Sequence, residues 1–331
     1  NVIEMIGATD GMRITYDDEG ERLFVSRRMG EEKSRWADMV EVRSSDGEQV
    51  HFTVSVEGEG VFLLAASSSW IVTSCTDGRD RIWDAETGEL AYEFGDVSSF
   101  TVWAAMDPSG ARLARGQSSS DGGPSRVVVW DLQGERSSAE LPEHEAVTTA
   151  GEWSPCGERI FTCSREGASL WSAADGALVA EFEHSGVCRS GLFNEEGSLL
   201  VTITDEGEVR VWSAETGEAV HQLVGHDDRM IVSASFSPGS GHLLATTSYD
   251  QTTRVWDVKA GESVRVLRGA RYRPTPNMGT WWEGEEVRCL EEKGDLHTWT
   301  VGGSLWLGCS RPRAVRSAML GSSRRESKSS S

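Results

Sequence analysis

Proline and tyrosine are scarce in this chain, at eight and four of 331 residues. No apolar run approaches the roughly 18 residues that a membrane-spanning helix needs. The longest, Val61-Phe-Leu-Leu-Ala-Ala66, is strand-sized. The six cysteines (75, 156, 163, 188, 289 and 309) include no Cys-x-x-Cys pair and no metal-ligand spacing. They stand singly among apolar or small residues, the pattern of buried, reduced thiols in an intracellular protein. Positive charge is also short: 32 Lys and Arg face 53 Asp and Glu, a net charge of −21. Such a body repels phosphate backbones and anionic lipid surfaces, which argues against general nucleic-acid and membrane partners.

Catalytic signatures are missing too. There is no Gly-x-Ser-x-Gly elbow, no Gly-x-x-x-x-Gly-Lys phosphate loop and no His-Glu-x-x-His. Acid pairs such as Asp17-Asp18 and Asp227-Asp228 fall in turn-like segments and read as solvated turn residues. The expectation is a protein that is not an enzyme, with no cofactor and no bound metal.

Tryptophan is abundant, at 13 residues, and its spacing is periodic. Trp83, Trp130, Trp171, Trp212, Trp256 and Trp299 each end a short β-branched run just before a turn. They follow one another at intervals of 47, 41, 41, 44 and 43 residues. Counting back 41 from Trp83 lands on Val42, followed by the turn Asp46-Gly47-Glu48, which matches Thr87-Gly88-Glu89 after Trp83. Each unit has an earlier turn as well, such as Phe236-Ser-Pro-Gly239, Trp153-Ser-Pro-Cys-Gly157 or Phe193-Asn-Glu-Glu-Gly197. Proline presets φ in such turns and glycine supplies the left-handed residue. Runs of four to six residues between turns, such as Leu199-Leu-Val-Thr-Ile-Thr204, complete four short strands in about 42 residues, the pattern of a propeller blade. Seven such units predict an all-β chain, a seven-bladed β-propeller of four-stranded antiparallel blades over residues 1–307. A six-bladed ring, with Met39 to Val42 misassigned, is the alternative.

These marks resemble the WD-repeat β-propeller family. The fullest unit reads Gly225-His226, then Ser248-Tyr-Asp250, then Trp256-Asp257. The resemblance implies a buried polar chain of His226, Ser248, Asp250 and Trp256, and a weaker copy in His184, Thr204, Glu206 and Trp212. It further implies that strand a and the b–c turn of each blade present partner-contacting residues on one face, the top. The strand a position falls on Arg189 and, with a weaker motif, Thr149 and Val232. The turn position falls on Arg27, Thr76, Arg165, Asp205, Tyr249 and Glu292. Arg and Tyr are the residue types that binding hot spots favour, which singles out Arg165, Arg189 and Tyr249. Ring closure needs an outer strand for the last blade, and Val2-Ile-Glu-Met-Ile6 is preferred over Ser304-Leu-Trp-Leu307.

Two insertions are expected on the top face: a Gly/Ser-rich loop from Gln117 to Arg126, and the basic segment Gly269-Ala-Arg-Tyr-Arg-Pro-Thr-Pro-Asn277. Residues 308–331 carry six basic residues and one Glu, so the body sits at −26 and the tail at +5. That tail reads as disordered, and Arg324-Arg-Glu-Ser327 has the form of a basophilic kinase site at Ser327. The sequence thus predicts a non-enzymatic scaffold that binds peptide segments on its top face, acidic or phosphorylated ones in particular. It is expected to be a monomeric propeller within a larger assembly, in the cytoplasm or alternatively the nucleus. A docking or sensing module of a larger protein is the second reading, and a propeller-fold hydrolase the third.

Overall fold

The β-branched runs form strands because each can bury one or both faces against a neighbouring sheet. In the computed structural model, the residues described are 14–16, 21–27, 37, 39–44, 48–57, 59–95, 99–119, 125–132, 136–142, 144, 146–227, 230–239, 241–268, 279–283, 286–290 and 296–301. Among them are seven antiparallel sheets and no helix. Six have four strands in simple up-and-down order, spanning residues 14–54, 61–94, 99–140, 148–182, 188–222 and 231–267. The seventh, residues 279–300, has three. These are blades 1 to 7, each with strands a to d in chain order.

The six phased tryptophans all lie on strand c. Their partners on strand b are equivalent: Ile71 with Trp83, Leu113 with Trp130, Ile160 with Trp171, Leu200 with Trp212, Leu244 with Trp256 and Val287 with Trp299. Val42 pairs Phe24 in the same way, so the unit without a tryptophan is a blade and the count is seven.

Neighbouring blades are joined by six apolar clusters. Phe24 and Val42 of blade 1 meet Leu63 and Ile71 of blade 2. Val72 and Ile82 meet Leu113 and Leu132 of blade 3. Val129 meets Ile160 and Trp171, and Phe161 and Leu170 meet Leu200 and Trp212. Val201 and Val211 meet Leu244 and Trp256, and Ala245 and Val255 meet Trp282 and Val287. Each fully buried aliphatic or aromatic side chain contributes about 1.5–3 kcal/mol, so these seams carry most of the fold's stability. No such cluster joins blade 7 to blade 1 among the described residues.

The seams between blades 1 and 5 carry a polar clasp that sequence reasoning did not anticipate. The first residue of strand b reaches across to a backbone carbonyl of the next blade. Arg22 donates to Ala85 O, Trp70 Nε1 to Gly110 O at 3.0 Å, Arg112 to Gly157 O at 2.6 Å and Arg159 to Ala214 O. In blades 5 and 6 this position is Leu199 and Leu243.

Several expectations lie outside the described residues: both candidate closing strands, Glu292, the basic segment 269–277, and the tail 308–331 with Ser327. The Gly/Ser-rich loop of blade 3 is shorter than expected. Strand b continues through Ser119, strand c begins at Arg126, and Ser125 bridges to His144.

Candidate partner-binding face

Behind the face lies a polar chain that fixes blade 6. His226 Nδ1 is 2.7 Å from Asp250 Oδ2, and its Nε2 is 2.8 Å from Thr246 Oγ1. Trp256 Nε1 donates to the same Thr246 oxygen at 2.7 Å. The hydroxyl in the chain is therefore Thr246 and not Ser248, whose Oγ accepts from Asp250 N at 3.2 Å and holds the turn. The two residues share one face of strand b, but Thr246 lies closer along the strand to Leu244, the partner of Trp256. Burial lowers the His226 pKa, against the pull of Asp250. Burial alone would raise Asp250, but bonds from Thr252 and His226 hold it below the usual carboxylate range.

The weaker copy in blade 5 is only half built. Trp212 Nε1 donates to Thr202 at 2.7 Å, so Thr202 stands in the place expected of Thr204. Thr204 Oγ1 instead accepts from Glu208 N. Glu206 is exposed, and both ring nitrogens of His184 are buried without a partner among the described residues. Asp250 explains the difference. Its Oδ1 folds back onto Thr252 N at 2.8 Å, which aims Oδ2 at the histidine. A glutamate is one methylene too long for that turn. The same threonine recurs as Thr73 under Trp83 and Thr162 under Trp171. Sequence reasoning missed it because it sought the hydroxyl beside the aspartate rather than ten or so residues before the tryptophan.

The b–c turns and the beginnings of strands a lie at one end of the blades. Thr76 N donates to Gly60 O at 3.0 Å, Asp205 N to Val187 O at 2.9 Å and Tyr249 N to Met230 O at 3.1 Å. These three bonds form the same rung in blades 2, 5 and 6. In blade 4 that rung follows the pair Thr148 and Ser164, which places Arg165 on it. Thr76, Arg165, Asp205 and Tyr249 therefore share one level. Arg27 does not: it pairs Met39, three residues beyond the Phe24–Val42 pair, and falls two positions short of that level. In blades 4, 5 and 6 the ladder of strands a and b slips by one residue, at Thr149, Arg189 and Val232. A bulge re-aims the extra side chain. Val232 is buried in the seam with blade 7, and Thr149 is half-buried, but Arg189 is 53% exposed.

Electrostatics on this face are mixed. Arg165 is exposed, with no ion pair among the described residues. Arg189 Nη2 is 3.9 Å from Asp205 Oδ2. Asp205 Oδ1 also accepts from Val187 N at 3.0 Å. Thr76 donates to Glu59 and accepts from Gly60 N. Tyr249 is half-buried against the blade 6–7 core, which pushes its phenol pKa up. At the opposite end a cavity of about 450 Å³ is lined by Arg112, Cys156, Arg159 and Val179 among others. Both arginines there already serve the clasp. Cys156 is exposed, and Cys75, Cys163 and Cys188 are buried free thiols.

This repeating register, with tryptophans on equivalent strands and a His–Asp–Thr chain behind them, defines a β-propeller of WD repeats. The family described as "WD domain, G-beta repeat" matches residues 217–257, from the c–d turn of blade 5 to the end of strand c in blade 6. The match covers one repeat, and the chain as a whole is similar to WD-repeat proteins. It is 23% identical to human cilia- and flagella-associated protein 52 over 60% of this chain and 38% of that protein. It is 27% identical to bovine transducin beta-like protein 3 over 47% and 20%, respectively. Against eukaryotic translation initiation factor 3 subunit I of Pongo abelii the figures are 23%, 58% and 64%. The match thus spans between a fifth and two thirds of these relatives' lengths. In fold, the chain is similar to the crystal structure of the computationally designed Ika8 protein, with a TM-score of 0.69 and 22% identity over 87% of this chain and 82% of that one.

Proposed function

We propose that this chain is a non-enzymatic protein-interaction scaffold, which holds peptide segments of other proteins on the face carrying Arg165, Arg189, Asp205 and Tyr249. The observation that carries the reading is the bulge at Arg189, which turns an arginine outward just below the rung on which Arg165 stands exposed. Guanidinium forks bind carboxylates and phosphates through two points. On a chain at −21 a local cationic site selects acidic or phosphorylated segments. Thr76, on the same rung, would tune that selection. The relatives support a place in an assembly, since one is named as a subunit of an initiation factor. The intracellular setting that the reduced cysteines suggest fits this reading, with the cytoplasm favoured over the nucleus.

A second reading is that the chain works as the docking module of a larger protein, because the relatives extend well beyond the matched region. Both readings are tested by a pull-down with the Arg165→Ala/Arg189→Ala variant. Both sites are exposed, so the melt should not move. Loss of bound proteins at an unchanged melt supports the face as the site, and retention of every partner ends the proposal.

A further inference from the structure

The rung that carries Arg165 and Tyr249 on its strand b side has a strand a side as well. In blade 5 that residue is Val187, and in blade 6 it is Met230. In blade 4, continuing from Thr148, it is Val147. In blade 3 the ladder slips once, at Val102, and then runs on to the pair of Phe100 with Ser118. Four successive blades therefore place an apolar side chain at the same level. Val147, Val187 and Met230 are each half-buried, and Phe100 is 51% exposed.

Phe100 differs from every other exposed large apolar residue described. The others lie on strands d, at Val50, Leu90, Leu178, Val179, Val220, Val264 and Val266, or in a loop at Val224. Phe100 alone among them lies on a strand a, the strand that approaches its counterpart across the seams between blades 2 and 3, 3 and 4, 4 and 5, and 6 and 7. Its direction follows from alternation along the strand. Thr101 donates to Asp80 of blade 2, so Phe100 faces the other way, toward blade 4.

We infer that the face binds an extended peptide through a large apolar side chain flanked by acidic residues. The apolar side chain would sit among Phe100, Val147, Val187 and Met230. The flanking carboxylates would meet Arg165 and Arg189, which stand on the neighbouring strand b turn and at the strand a bulge. A face that carries an exposed phenylalanine and two cations is complementary to neither a uniformly acidic segment nor a purely apolar one. The inference rests on the reading of this face as the binding site and names the motif that it reads.

The test is selection of a random 12-residue peptide display library on the full chain, followed by fluorescence anisotropy of the selected peptides. Enrichment of one large apolar residue within a few positions of Asp or Glu is expected. Phe100→Ser and Arg165→Ala/Arg189→Ala should each weaken binding at least tenfold, with melts unchanged. Selected peptides that need the arginines but bind Phe100→Ser as well as wild type would overturn the apolar anchor and leave the face standing. Peptides indifferent to all three substitutions, or no enrichment, would overturn both.

Discussion

Arg115 and Asp80 form an ion pair across the seam between blades 2 and 3, with Nη1 at 2.7 Å from Oδ2 and both side chains about 95% buried. Arg115 sits on strand b where blades 2, 4, 5 and 6 place the tryptophan-capping threonine. It cannot accept the Trp130 N–H, which is left without a partner among the described residues. Instead its guanidinium stacks 4.3 Å from the centroid of Phe94 and 5.6 Å from that of Trp130, and those two rings lie parallel at 5.1 Å. Removing one partner of a buried pair strands the other charge, at about 3–5 kcal/mol. Arg115→Ala is therefore expected to lose that much in denaturant melts. The double variant Arg115→Met/Asp80→Leu should lose much less, because no charge remains buried. Equal losses would show that packing, and not charge burial, sets the cost.

Thr246 accepts from Trp256 and meets His226, so Thr246→Val leaves two buried polar groups unpaired. The expected loss is about 1–3 kcal/mol for each group. Ser248→Ala leaves the contacts of Thr246 with Trp256 and His226 in place and should lose less. Chemical denaturation of the two variants side by side decides which hydroxyl belongs to the chain.

The fold was legible because the tryptophans on six of the seven strands c must sit at the same register, and turn residues on either side repeat the phase. Even the blade without a tryptophan could be counted, since Val42 buries the same position. The polar chains were less legible. Thr246 and Ser248 both lie on strand b two residues apart, and which one meets the tryptophan depends on the cross-strand register, which spacing to the aspartate does not reveal. Arg27 was misplaced for a related reason: blade 1 has no tryptophan or Ser-x-Asp to set its level. The bulge at Arg189 was found only as a family position, and the Phe100 rung was not found at all. An exposed aromatic on an inner strand looks like any other strand residue until the ladder is followed past its usual end.

Stability should fall on acidification, beginning near neutral pH. Burial holds the folded-state pKa values of His144, His184 and His226 below the ordinary 6.5. As pH drops through that value the unfolded chain takes up protons that the folded chain does not, so stability is full above it and declines below. Asp77, Asp84 and Asp250 lie below 3.8 and add a second loss at lower pH. Thermal melts at pH 7.5 and 5.5 should show the first decline. His184 has no hydrogen bond to lose among the described residues, so His184→Phe should raise the melting temperature at pH 5.5 and flatten the slope. A slope identical to wild type would mean that His184 takes no part.

Asp205 restrains Arg189. Its Oδ2 lies 3.9 Å from the guanidinium, while its Oδ1 is occupied by Val187 N. Asp205→Asn keeps an oxygen for the backbone bond and removes the charge, so the turn should hold its shape. Exposed ion pairs of this kind are worth about 0–1 kcal/mol. Releasing one should tighten binding of an acidic segment by up to about fivefold, and the gain should shrink with added salt as screening grows. The same substitution in the Arg189→Ala background should change nothing, since no cation is left to release. Affinity that rises equally in both backgrounds would place the effect in general repulsion by the acidic body, and Asp205 would then be one charge among 53 Asp and Glu and no regulator of Arg189.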